Sequence, residues 1–64
     1  MRVRIANEIL LVKQVECLDT KIVLHTFSDD QKEIILNISD EAERDAILQG
    51  LYLEGFLEVK LEWL

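Results

Sequence analysis

Ser39 to Gly55 is the only stretch of this chain that reads as helix; the segments on either side alternate in the manner of strands. One helix must therefore cover whatever sheet those strands build. Asp40, Glu41 and Glu43 place negative charge at the positive end of the helix dipole, and Asp40 with Glu43 three residues on has capping-box spacing. Gly55 suits the left-handed C′ position and gives about four turns. Gly50 is the competing stop, because a glycine inside a helix costs about 1 kcal/mol relative to alanine. On a helical wheel Ala42, Ala46, Gly50 and Leu53 share one side, and Ile47 and Leu51 fall nearly opposite. The spacing predicts the small residues flat on a sheet, with the Ile47, Leu51 side meeting something else.

Arg2 to Ile5 reads as a short half-buried strand, Ala6-Asn7 as a turn or bulge, and Glu8 to Cys17 as a longer strand. A two-residue Leu18-Asp19 loop would set Cys17 opposite Thr20, Glu16 opposite Lys21 and Val15 opposite Ile22. Thr20 to Phe27 follows, and the polar run Ser28 to Lys32 reverses the chain into a strand over 33–38. Pairing Phe27 with Glu33 sets Ile22, Leu24 and Thr26 against Ile38, Leu36 and Ile34, whereas a one-residue slip would mix Lys21 and Lys32 into that face. Phe56 to Leu64 alternates Leu57, Val59, Leu61 and Trp63 with Glu58, Lys60 and Glu62, and reads as a strand throughout. Arg2 and Arg4 complement Glu58 and Glu62, so the terminal strands are expected to be neighbours. The fold class is α+β: residues 1–64 as a single small domain, an antiparallel β-meander with one helix in the order β-β-β-β-α-β.

The meander has two faces. Leu11, Val15, Ile22, Leu24, Ile34, Leu36 and Ile38 form the expected seat for the helix, while Leu10, Val12, Val23, Phe27 and Ile35 fall on the other side with Gln14, His25, Glu33 and Asn37. Burying one such apolar side chain is worth about 1.5–3 kcal/mol, so a wet second face would forfeit energy comparable to a small domain's whole stability. Half of the 64 residues are hydrophobic, more than a chain this small hides easily. A homo-oligomer, most simply a dimer, is expected, with Leu10, Val12, Val23, Phe27, Ile35, Ile47, Leu51 and Trp63 at its interface.

The net charge is −6, and it is lopsided: residues 1–38 carry five bases and six acids, residues 39–64 two and seven. Acidity disfavours nucleic acid and anionic membrane, and permits a basic protein partner. One cysteine, Cys17, forms no intrachain disulfide, and apolar runs are far too short for a membrane span, so a cytoplasmic location is expected.

Little in the chain points to catalysis, a metal or a cofactor. Cys17 and His25 are its sole thiol and imidazole, with no oxyanion loop in view, and they fall short of the four ligands of a structural zinc site. Asp40, Glu41, Glu43 and Asp45 radiate from a helix start where paired-carboxylate chemistry needs convergence. The expectation is a non-enzymatic, acidic protein-interaction module that acts as a homo-oligomer, with regulator or inhibitor of a larger protein as its role. Two other classes compete: a small-ligand sensor or sequestering protein whose intersubunit pocket uses Arg2, Arg4 or His25, and an acidic mimic of nucleic acid that occupies a basic protein groove.

Overall fold

A computed structural model describes residues 1–64. Five strands, β1 (Arg2–Ile5), β2 (Glu8–Cys17), β3 (Lys21–Thr26), β4 (Glu33–Asn37) and β5 (Phe56–Val59), form one sheet in the order β4-β3-β2-β1-β5, with helix α1 (Glu41–Glu54) between β4 and β5. The α+β class and the element order are those expected. The terminal strands are indeed neighbours: β1 and β5 run parallel, with Val3 opposite Leu57 and Arg4 opposite Glu58. Arg4 and Glu58 form an ion pair.

Both hairpins of the meander differ from the expected register by two residues. Cys17 pairs with Ile22 and Val15 with Leu24, across a wider loop closed by the Leu18 amide donating to the Lys21 carbonyl at 2.8 Å. Ile22 pairs with Leu36 and His25 with Glu33. A slip of two returns every side chain to its own face, so the apolar pattern is blind to it.

A bulge in β2 changes more. Val12 opposes Thr26 and Gln14 opposes His25, which leaves Lys13 as the extra residue. Upstream of it the inward residues are Leu10 and Val12, and downstream the inward residue is Val15. The faces expected for this strand are therefore inverted over its first half. Leu10 and Val12 lie in the core, and Leu11, expected beneath the helix, is 57% exposed on the outside.

The helix boundaries follow the capping chemistry. Asp40 accepts hydrogen bonds from the Ala42 and Glu43 amides, and Gly55 takes the left-handed conformation at φ 68°, its amide donating to the Leu51 carbonyl. Gly50 lies inside the helix. The side laid on the sheet is the reverse of that expected: Leu51 is fully buried and Ile47 and Leu48 pack on the core, while Ala42 and Ala46 face out and Leu53 is 86% exposed. Large side chains remove more apolar area from water than alanines do, and that difference selects the buried side.

The last strand ends early. Beyond Val59 the chain turns through a 3-10 segment, Leu61–Trp63, where strand had been expected to continue to Leu64. Trp63 enters the core with Val3, Ile22, Leu24, Ile34, Leu36, Ile38 and Val59, and its carbonyl accepts from Asn37 Nδ2 at 3.2 Å on the far edge strand. Laid flat, β4 and β5 would be about 19 Å apart across four interstrand spacings. The short 3-10 segment rises only about 2 Å per residue, so the sheet curls around the core to bring its edges within reach of Trp63. No helix is long and apolar enough to cross a membrane.

Candidate interaction surface

With α1 and Trp63 packed on the inner, concave side, nothing covers the outer face of the sheet. Strand alternation and the Lys13 bulge put Ile9 and Leu11 of β2 there, beside Arg4 and Arg2, their respective partners on β1. Phe27, just past β3, is held opposite Leu11 by its amide, which donates to the Leu11 carbonyl at 3.2 Å. Lys13 Nζ sits 5.8 Å from the centre of the Phe27 ring. Ile9, Leu11 and Phe27 are 58%, 57% and 65% exposed, forming an apolar cluster among three cations. Glu58, paired to Arg4, is the one acid facing it across the β1–β5 ladder.

Toward β4 the same face becomes polar. His25 lies between two carboxylates, with Nε2 3.3 Å from Glu16 Oε1 and Nδ1 3.6 Å from Glu33 Oε2. Beyond it, Val23 lies between Glu16 and Ile35 of the adjoining strands and is only 6% exposed, whereas Ile35 is 45% exposed.

The structure divides the expected interface residues. Phe27 and Ile35 are open to solvent and Val23 is on the same face but shielded by its neighbours. Leu10, Val12, Leu51 and Trp63 belong to the molecule's own core, and Ile47 packs against it, so none of these five is offered to a partner. Ile9, Leu11 and Lys13 were missed. Their sequence signal is the Ile9, Leu11, Lys13 alternation itself, which marks one side of a strand but carries no sign of which side is covered.

The residues expected to line a ligand pocket are not brought together. Arg2 and Arg4 are on β1, Arg4 is engaged by Glu58, and His25 is on β3 with β2 intervening. A shallow hollow of about 420 Å³ beside Phe27 is lined by Lys13, His25, Ser28, Asp29, Lys32 and Glu33 among others, with Phe27 its one hydrophobic wall. Small-molecule sites are mostly apolar, and this one mixes both signs of charge over a polar lining. Cys17 is free and exposed. No group of three or more His, Cys, Asp or Glu side chains converges as a metal site.

On the opposite side of the molecule, α1 turns Asp45, Gln49, Tyr52 and Leu53 outward. Tyr52 is 63% exposed, and these four residues with Leu48 line a second surface hollow. Asp45 is the one acid lining that hollow, and the single base of the helix, Arg44, is buried with Nη1 donating to the Ile38 and Ser39 carbonyls. The molecule thus has one exposed apolar cluster beside Arg2, Arg4 and Lys13 and another beside Asp45. Comparison with protein-family models, with curated proteins and with solved structures finds no match, so the functional reading rests on this geometry.

Proposed function

We propose that the protein is a non-enzymatic interaction module that associates with further copies of itself through the outer face of its sheet. The observation that supports this reading is the exposure of Ile9, Leu11, Phe27 and Ile35 on one uncovered face. Scattered apolar residues on a surface are ordinary, but Ile9, Leu11 and Phe27 are contiguous and lie beside Arg2, Arg4 and Lys13. Apolar centres with a charged rim are the usual anatomy of a protein contact, with arginine and aromatic residues supplying much of the energy.

Light scattering on the eluting protein tests the reading. At tens to hundreds of micromolar the wild-type mass exceeds the 7.5 kDa of one chain, and Leu11→Glu with Phe27→Ser returns it to that value. A folded wild-type chain that stays at one-chain mass throughout contradicts it.

A further inference from the structure

The contact proposed on the outer sheet face leaves open which surface of the second copy it meets. We infer that the contact is head to tail: the Ile9, Leu11, Phe27 cluster of one copy receives the outward side of α1, around Tyr52 and Leu53, of the next. This rests on the self-association proposed above.

The argument is electrostatic. In a two-fold dimer each surface meets its own image. A two-fold contact centred on Leu11 and Phe27 would press Arg2, Arg4 and Lys13 toward their own symmetry mates, with Glu58 beside Arg4 and Asp29 and Glu33 beside Phe27 offsetting part of that charge. A helix-to-helix contact centred on Tyr52 and Leu53 would bring Asp45 toward its own symmetry mate. Like charges brought together across an interface cost several kcal/mol. Head-to-tail docking eases both conflicts, because Arg2, Arg4 and Lys13 then approach Asp45 of the next copy.

The two surfaces also lie on opposite sides of one molecule. Leu51, Ile47 and Leu48 hold α1 to the inner face of the sheet, so its Tyr52, Leu53 side points away from Leu11 and Phe27. A single copy cannot satisfy both surfaces itself, and its geometry favours joining two neighbours. Such a contact grows into a ring if the rotation closes and into an open chain if it does not.

Mixing two damaged proteins tests the arrangement. The first carries Leu11→Glu with Lys13→Glu on the sheet face, and the second Tyr52→Ala with Leu53→Lys on the helix; all four positions are exposed, and folding of each variant is to be checked by circular dichroism. Each alone is expected at one-chain mass, and an equimolar mixture at twice that mass and no higher, since one intact sheet face then meets one intact helix. Raising NaCl from 50 to 500 mM should shift the wild-type midpoint of assembly upward by about tenfold, as expected when opposite rim charges are screened. A helix variant that assembles as wild type does would overturn head-to-tail docking and leave self-association standing. So would a mixture that stays at one-chain mass while wild type assembles. A wild-type chain that never assembles removes both ideas. If the first pair misfolds, Arg2→Glu and Asp45→Arg supply the same two-component test by charge alone.

Discussion

Phe27 donates its amide to the Leu11 carbonyl at 3.2 Å, and this bond fixes the two side chains as neighbours on the uncovered side of the sheet. Two residues from Leu11, the Lys13 bulge reverses the inside and outside of β2. The face on which Leu11 appears is therefore the most discriminating feature of the fold, and adjacent leucines test it.

Leu10→Ala removes a side chain that is 8% exposed and should cost about 2–4 kcal/mol, while Leu11→Ala, at 57% exposed, should change stability by less than about 0.5 kcal/mol. Urea titrations of the two variants under dilute conditions check this. Equal losses, or the larger loss at Leu11, would place the bulge elsewhere.

Arg44 is buried without a carboxylate, and its Nη1 donates to the Ile38 and Ser39 carbonyls at 2.8 and 3.0 Å. It closes the turn from β4 into α1. Arg44→Ala leaves those carbonyls without a partner and should cost about 2 kcal/mol. Arg44→Met keeps the apolar stem and should lose less, as read from midpoints of thermal unfolding.

Two small substitutions have opposite backbone logic. Gly50 is inside α1, and a methyl group there meets nothing within 4 Å, so Gly50→Ala should stabilise by about 0.5–1 kcal/mol. Ala6, in the tight loop between β1 and β2, is the one non-glycine residue at positive φ, 55°, and Ala6→Gly should relieve up to about 1 kcal/mol of strain. Calorimetric melting temperatures should rise in both variants, and a fall in either would deny the conformation assigned to that position.

Trp63 ties the C-terminal turn to β4 through its carbonyl and fills the core at 6% exposed. Trp63→Ala should cost about 3–5 kcal/mol, enough to unfold much of a domain this small. Tryptophan fluorescence of the wild type should be blue-shifted when folded and move red on unfolding. A red spectrum in the native protein would mean that the turn is not packed on the core.

The helix start was legible in the sequence because Asp40 supplies a side-chain acceptor, whereas its end stayed open between Gly50 and Gly55 until the left-handed φ at Gly55 decided it. So was the neighbouring of the terminal strands, through the charges of Arg4 and Glu58. The bulge was not, since no glycine marks it and the run Leu10-Leu11-Val12 is apolar on whichever side is buried. The hairpin registers were hidden for a different reason: a two-residue slip costs nothing in facial pattern. Leu61 and Trp63 are two apart, which suits a strand, yet the segment is a 3-10 turn with Trp63 buried and Leu61 70% exposed. Arg44 did leave a trace: it is a base in the first turns of a helix, where the dipole disfavours positive charge, and a buried role explains its presence.

The central claim is that the outer sheet face carries the contact between copies. Methyl and aromatic NMR spectra recorded from about 10 µM to 1 mM test it most directly, residue by residue. Signals of Ile9, Leu11, Phe27 and Ile35 should shift or broaden as concentration rises, while those of Leu10, Val12, Ile22 and Leu24 in the core stay in place. Spectra that superimpose over the whole range, with those four outer residues as sharp at the top as at the bottom, would contradict it.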